Sequence, residues 1–582
     1  MERTGALIKE KYREYFFSTL AMSGSTVIAN IIDRIMVGNL LGAKELAAIS
    51  YTGPVVFAIN VIYGLFIYGG NTLSVTYKGH RDKLGSDKCF TIAIAGGTLV
   101  SILLAVIGLV FLEPLAGLLC AGSEELYKPV VDYLLPLLFM GILVIPVNGT
   151  AAFIRSDGLK KLALALPVLC NAINLIMDFV FMGIMGFGIG SAGWATNVGF
   201  AAALLLLIPY FRSKERSVFF TKPGFQDISL VLDIFYTGLA SALLNGSILL
   251  KSYVMNVIAL AAFKTDGAVI ISVCMSANSM ANIFYMGTSQ TMMPIGGGLY
   301  GERDWSGIRQ LLKISSYVTL VICVAIATIL MAIPQQFAAL FGIDAGLIGR
   351  LFDTAFRLFC VSIPFVGLQN VARSYLQSCG HKNAATVLMV LDGTVCFIPF
   401  IWLLSVLVPQ LLWLSFAISP ILSMLCVYIA MRIRLKKEGI TDPLLLPAQP
   451  ENERILEFTI GNTLEQTSEA SERVLGFCRK NGIPDTLGNK MWLAVQELCS
   501  NISQYAYGGK PDYADLFLKI TDTDVVLRIR DNGIIFDPTS FIDDSGREIT
   551  GLGMLRALNI GLEYNRVLGF NNTIVTLSLP ER

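Results

Sequence analysis

Asp33, Asn174, Asp178 and Thr196 are polar residues inside stretches that are otherwise apolar over about 20 residues each. An ionisable side chain within a membrane span costs roughly 2.5 to 3.5 kcal/mol on insertion scales, so it faces the protein interior and usually handles an ion or a substrate. Asn174 and Asp178 are one helical turn apart and therefore share a face, and Thr196 adds a hydroxyl from the following stretch. Two carboxylates, an amide oxygen and a hydroxyl suit Na⁺. They equally suit a shared proton, because like charges held close together raise one carboxylate pKa. The alternative is that each group merely meets a helix dipole or Arg34. A second pair, Glu497 and Asn501, is also one turn apart, in "MWLAVQELCSNISQYAYGGK" (491–510), which has the pattern of a soluble amphipathic helix running into glycines.

These two sets of residues need different solvents, and the composition supplies them. Apolar residues make up 54% of the 582, charged residues 15%, and the mean hydropathy is +0.64, too greasy for an ordinary soluble enzyme. The net charge of +1 conceals a segregation. Residues 441–582 hold 13 Lys and Arg against 20 Asp and Glu, a net −7 that leaves +8 for residues 1–440. No clustered basic face is present, which excludes a nucleic-acid partner. The cysteines form no CxxC pair and no Cys/His cluster at zinc spacing, so they read as packing residues in a reduced cell. The opening residues have no short apolar core with a cleavage site, so no secretory signal is expected.

A membrane helix needs about 20 mostly apolar residues. Such stretches lie near 16–37, 47–73, 89–112, 130–150, 162–186, 190–211, 233–260, 267–293, 314–334, 351–372, 384–407 and 410–431, predicting twelve spans. Lys and Arg concentrate in alternate connections, for example at Lys78, Arg81, Lys83 and Lys88, at Arg155, Lys160 and Lys161, and at Arg373 and Lys382. Because short basic loops stay cytoplasmic, both termini are expected in the cytoplasm of a cell-membrane protein. "YKGHRDKLG" at 77–85 matches "YGERDWSG" at 300–307, and "FIRSDGLKK" at 153–161 matches "YLQSCGHKN" at 375–383. Both matches have the same offset of 222, seen in Gly79/Gly301 and Gly158/Gly380. A parallel six-plus-six repeat of this kind suits an alternating-access transporter. At that offset Asp33 and Asp178 fall on Met255 and Phe400, so the carboxylates belong to the first half alone. Lys251 is a further intramembrane charge. It either faces a substrate cavity, pairs with an acid across the cleft, or snorkels to an interface. "GGG" at 296–298 reads as close packing or a bend.

The expected organisation is an all-α polytopic membrane protein with two six-helix pseudo-repeats, followed by an α+β sandwich domain. Its parts are a first lobe at 1–222, a second lobe at 223–436, a Pro- and charge-rich linker at 437–452, and a tail at 453–582. In the tail "RILEFTI" alternates like a strand and a polar helix covers 464–480. A helix with the stripe Leu487, Met491, Val495, Leu498, Ile502 follows, then a hairpin of "DLFLKI" and "VVLRIRDNG", and "NTIVTLSL" closes the sheet.

"IIDRIMVGNLLGAKELAAIS" resembles the first-helix signature of the multidrug and toxic compound extrusion (MATE) family, and "FIRSDGLKKLALALPVLCNAINLIMDFVF…GIGSAGWATNVG" its fourth-to-sixth-helix segment. The resemblance covers about 10–435. It implies export of amphiphilic, often cationic organic compounds across a lipid bilayer in exchange for Na⁺ or H⁺. It also implies a cation site on Asp33, Asn174, Asp178, Thr196 and the Ala192 carbonyl. In the tail no G-x-x-x-x-G-K-[ST] occurs, which argues against a P-loop ATPase. "ELCSN", "DNGIIFDP" and "GLGM" instead follow the order of the GHKL ATPases, and "ELCSNISQYAYGG" is similar to their anti-sigma-factor serine kinases.

That resemblance, over 455–582, implies Mg-ATP as cofactor. Asn501 would bind Mg²⁺ and Glu497 would be the general base for an attacking hydroxyl. Asp531 would accept the adenine amino hydrogen, Gly533 would let the backbone approach the ring, and Thr573 would help hold adenine. Gly551 and Gly553 would offer backbone N–H groups to phosphate at a helix start. A cytosolic protein bound or phosphorylated by the tail would be its partner. The sequence departs from the pattern at Ile535, where D-x-G-x-G has its second glycine, and at Thr550, where such kinases often carry arginine. A tethered serine kinase or sensor whose transporter-like part only detects a ligand is the competing function, and the Asp33, Asn174 and Asp178 set speaks for transport.

Overall fold

Long apolar runs with few charges leave the backbone no partners in lipid except its own, so they form helices. In the computed structural model they do. The structure describes the chain except residues 1–2, 42–44, 46–47, 50, 121–123, 157–158, 214–215, 217, 223, 225–226, 340–348, 448–452, 509–511, 541–549, 559 and 581–582. Gly158 of the repeat and the end of the expected linker lie outside the described residues.

The helices are α1 (Ala6–Leu40), α2 (Gly53–Gly79), α3 (Lys83–Val110), α4 (Leu126–Ser156), α5 (Lys161–Ile184), α6 (Gly190–Arg212), α7 (Ile228–Gly301), α8 (Trp305–Ala332), α9 (Arg350–Ser378), α10 (Lys382–Leu407) and α11 (Pro409–Lys437). Among the described residues nine of them, α2 to α6 and α8 to α11, are long and apolar enough to cross a membrane. The first expected span lies in α1. The seventh and eighth, expected as separate helices, fall in the single helical run α7. That run folds back on itself, because Gly267 lies against the Ala259 carbonyl, which a straight helix would hold about 12 Å away.

The 222-residue offset recurs in the hydrogen bonds. The Tyr15 hydroxyl donates to the Arg155 carbonyl, and the Gln377 amide donates to the Thr237 carbonyl. Ser156 donates to Asn71 Oδ1, and Ser378 to the Met293 carbonyl. Asp82 and Asp304 each accept the backbone N–H three residues on, after Arg81 and Arg303, both at positive φ. Two equivalent pairs touch each other: Gln290 donates to the Tyr68 hydroxyl at 3.1 Å, and a Cβ on Gly79 would lie 2.9 Å from Gly301 Cα. A position that meets its own counterpart lies on the pseudo-two-fold axis. The α2–α7 seam therefore carries that axis, and only glycine fits where the backbones come closest.

Residues 14–438 form one compact unit, and residues 439–582 together with 1–13 form another. The first thirteen residues, placed by the sequence with the first lobe, thus group with the tail, where Arg3 pairs with Glu457 at 3.1 Å and Asp515 at 3.3 Å. In that unit β1 (Arg454–Gly461), α12 (Leu464–Lys480), α13 (Asp485–Asn501), β2 (Tyr513–Ile520), β3 (Asp524–Asp531), α14 (Thr550–Ala557), β4 (Gly561–Val567) and β5 (Phe570–Ser578) form an antiparallel sheet of order β1-β2-β3-β5-β4 with helices. Strand alternation sends Val525, Leu527 and Ile529 into a core with Val495 and Leu498 of α13. Arg528 and Arg530 take the other face of β3. β4 was not anticipated.

Glycine at the axis gives a test of the seam. Gly79→Leu or Gly301→Leu is expected to destabilise the protein by about 1–3 kcal/mol through overpacking, read as a lower thermal unfolding midpoint in detergent. Gly117→Ala, where a Cβ meets nothing within 4 Å, should leave the midpoint unchanged.

Candidate functional site

α5 and α6 bring the expected ion-binding residues together. The Asn174 amide donates to Asp178 Oδ2 at 2.9 Å and to the Thr196 hydroxyl at 3.1 Å. That hydroxyl donates in turn to the Ala192 carbonyl at 3.1 Å. Asp33, from α1, lies near enough to Asp178 for the two carboxyls to interact electrostatically. Asp178 is fully buried, and its Oδ1 has no hydrogen-bond partner. A buried polar atom left unmade costs about 1–3 kcal/mol, so a carboxylate oxygen in this state is suited to an incoming cation. The donor set is all oxygen and hard, which fits Na⁺ or a proton held between two carboxyls.

The equivalent region of the second lobe is built differently. Lys251 donates to Asp392 Oδ1 at 2.6 Å, Ser419 donates to the same oxygen at 2.8 Å, and the ammonium lies 5.4 Å from the centre of the Phe397 ring. Lysine and aspartate are both buried. Lys251 is therefore held by an acid of its own lobe, on α10, and not by one across the cleft. Asp392 was not singled out in the sequence, although a carboxylate inside the 384–407 span was a sufficient signal. At the 222 offset the pair corresponds to Ala29 and Cys170.

Two further buried charges were counted in the sequence as loop cations. Arg155 and Arg373 lie inside the helical unit, near the ends of α4 and α9, each only 2% exposed.

In the tail, the one-turn spacing on α13 holds Glu497 and Asn501 on a face that meets α14. A Cβ on Gly551 would lie 1.7 Å from Glu497 Oε2, so this glycine and the glutamate carboxylate share one place. Gly553 follows in the same first turn of α14. Asp531 ends β3. Its Oδ1 accepts from the Gly533 N–H and from Asn571 Nδ2, both at 2.8 Å, while its Oδ2 is buried without a partner. Burial pushes the Asp531 carboxyl up to about 6, against the opposing effect of those two hydrogen bonds. A Cβ on Gly533 would meet the Ala506 carbonyl at 2.6 Å, which fixes a glycine there. Asn501 Nδ2 and Thr573 Oγ1 are also buried without partners.

Three of the expected nucleotide contacts thus keep an unsatisfied polar atom in a packed interior, where nearly all such atoms are paired. They fit an adenine nucleotide and its Mg²⁺. Asn571, missed in the sequence, positions Asp531 and is itself held by the Tyr564 hydroxyl at 2.7 Å. Thr550 opens α14, and the residues before it, "REI", lie outside the described residues.

Comparison with known proteins agrees with this division. The MatE family model matches residues 19–180 and 247–403, and a histidine kinase-like ATPase domain model matches 460–578. The multidrug export protein MepA of Staphylococcus haemolyticus is 23% identical over 424 residues, covering 72% of this chain and 92% of that protein. MepA of Staphylococcus aureus is 23% identical over 429 residues, with 71% and 92% covered. Among solved structures, an outward-facing multidrug resistance MATE transporter of the MOP superfamily superposes with a TM-score of 0.68 at 19% identity, covering 76% of this chain and all of that one. The Vibrio cholerae MATE transporter VcmN gives 0.68 at 18%, with 76% and 99% covered. The chain belongs to the MATE family of multidrug efflux transporters and carries a C-terminal histidine kinase-like ATPase domain.

Proposed function

We propose that the membrane part exports amphiphilic organic compounds by alternating access in exchange for Na⁺ or H⁺, coupled at Asp33, Asn174, Asp178, Thr196 and the Ala192 carbonyl. The observation that carries this is the oxygen cluster around Asp178, with a fully buried carboxylate oxygen that no protein donor satisfies. One ion and one substrate exchange when the states that favour each are mutually exclusive, a coupling worth typically 1–3 kcal/mol between sites. Charging and discharging the Asp33/Asp178 pair supplies such a difference. The loop charge pattern supports insertion in the cell membrane with both termini cytoplasmic.

The tail binds Mg-ATP in this proposal. Asp531 accepts the adenine amino group, Gly533 admits the ring, Thr573 hydrogen-bonds it, and Asn501 supplies an amide to the metal. Bound ATP supplies a transferable phosphoryl group. Gly551 and Gly553 present N–H groups at the start of α14, and Glu497 beside them is placed to take a proton from a serine hydroxyl of a cytosolic partner. Regulation of transport by nucleotide occupancy needs only the binding residues.

In proteoliposomes carrying an inward or outward Na⁺ or proton gradient, export of amphiphilic dyes should follow one of the two ions. Asp33→Asn and Asp178→Asn should each lower the gradient-driven rate at least about tenfold at equal protein content. Unchanged rates would remove the coupling site. Nucleotide binding to the full-length protein has its own signature. Asp531 accepts most strongly as the carboxylate, so affinity should fall as pH drops through about 6 and be up to about tenfold lower at pH 5 than at pH 8. The ratio of wild-type to Asp531→Asn affinity across pH cancels the nucleotide's own titration, and a flat ratio would contradict the assignment. Gly533→Ala should weaken binding at every pH, and Asn501→Ala should weaken it only when Mg²⁺ is present.

A further inference from the structure

Arg155 and Arg373 are two of the buried charges that the ion site does not use, and the only buried arginines among the described residues of the helical unit. A guanidinium does not deprotonate in proteins, so each is a permanent positive charge inside the helical unit. Arg155 Nη1 donates to Thr19 Oγ1 at 2.8 Å and to Gln290 Oε1 at 3.4 Å, and its Nη2 donates to the Gln290 carbonyl at 3.3 Å. Arg373 Nη1 donates to Ser241 Oγ at 2.8 Å and Gln377 Oε1 at 2.7 Å, and its Nη2 to Ser289 Oγ at 2.6 Å and Asn370 Oδ1 at 3.4 Å. Every acceptor is neutral. Among the described residues no carboxylate is hydrogen-bonded to or ion-paired with either guanidinium. Both Nε–H donors are buried without a partner.

The two guanidiniums converge. One reaches Ser289 and the other Gln290, consecutive residues of α7. Gln290 also bonds across the pseudo-two-fold axis to Tyr68. Each lobe contributes one arginine to this point. The positions are not equivalent in the repeat, since Arg155 corresponds to Gln377 and Arg373 to Ala151, so the pair is not a structural device copied from one lobe to the other. The buried ammonium of Lys251, in contrast, is paired with an acid, Asp392. Two permanent charges left without one in a low-dielectric interior call for an anion from outside.

We propose that Arg155 and Arg373 form an anion-binding site between the lobes, taking the carboxylate, sulfonate or phosphate group of an amphiphilic substrate. The planar fork of each side chain matches an oxyanion, and the free Nε–H groups are donors still to be used. This narrows the export reading on which it rests. It also reverses the charge expected of substrates from family resemblance, since an amphiphile with only a cationic head has no counter-charge here.

The test is equilibrium binding to full-length protein in a nonionic detergent of three probes sharing one dansyl-tagged decyl chain, ending in a carboxylate, in its methyl ester, and in a trimethylammonium. The carboxylate should bind at least about tenfold more tightly than the other two. Arg155→Gln and Arg373→Gln should each lower its affinity about tenfold or more while leaving the ester unchanged. Arg→Lys at either position, which keeps the charge and loses the fork, should give a smaller loss for the carboxylate alone. Inorganic phosphate should compete weakly against the carboxylate probe, because the chain contributes to binding. Competition at equal concentration would replace the organic anion by a free one and overturn the substrate assignment. Equal wild-type affinity for all three probes, or a preference for the ammonium, would overturn the site without any variant. Gradient-driven flux is a separate readout: absent flux with intact carboxylate selectivity counts against export, whereas flux without charge selectivity counts against the arginine site.

Discussion

A charge in a hydrocarbon interior has to be neutralised, hydrogen-bonded or used, because the effective penalty for leaving it bare is several kcal/mol even after relaxation. The membrane unit obeys this rule in three different ways. In the second lobe, Lys251 and Asp392 cancel one another, with Ser419 satisfying the acid further. In the first lobe, Asp33 and Asp178 stand together with neutral Asn174 and Thr196, an arrangement that is comfortable only with a cation or a proton between them. Arg155 and Arg373 are solvated by amides, hydroxyls and carbonyls, and among the described residues neither is ion-paired with a carboxylate. In the proposed function the first lobe takes the coupling ion and, as further proposed, the seam takes an anion, while the Lys251–Asp392 pair is already neutralised.

The internal repeat explains how such asymmetry can sit on a symmetric frame. Equivalent hydrogen bonds at a 222-residue offset fix both lobes to one backbone plan, and Gly79 touching Gly301 sets the axis between them. Function then lies in the side chains that break the symmetry. Asp33, Asp178 and Lys251 have partner positions in the other lobe occupied by residues of different chemistry, Met255, Phe400 and Ala29 respectively. The tail applies the same economy in water. Its sheet and helices form an apolar core, and among the described residues three of the four buried side-chain polar atoms without partners, those on Asn501, Asp531 and Thr573, belong to residues with the types and order of a nucleotide site, the fourth being Arg566 Nη1.

Much of this was legible because the relevant signals are local. Apolar runs, one-turn spacings such as Asn174/Asp178 and Glu497/Asn501, and strand alternation in "VVLRIRD" depend only on near neighbours along the chain, and the structure places them as the periodicities imply. What was missed depends on distant partners. β4 is an edge strand, hydrogen-bonded to β5 along one edge, and its "GLEYNRV" shows no clean alternation of buried and exposed residues. Arg155 and Arg373 sit at helix ends, where sequence alone counts them as loop cations. Arg155 is held where α4 meets α7 and Arg373 where α9 meets α7, contacts between distant segments that no short window contains. Asp392 was visible as an intramembrane acid, but its meaning required Lys251, 141 residues away.

The central claim is that substrate and coupling ion exclude one another through the Asp33/Asp178 pair. Its most direct test is to add a transported amphiphile to detergent-solubilised protein in weakly buffered, Na⁺-controlled medium and follow the released ion with a pH indicator and a Na⁺-selective electrode. The account predicts release of about one proton or one Na⁺ per molecule of substrate bound, abolished in Asp178→Asn. Saturable substrate binding with no ion released over the whole pH range would contradict it.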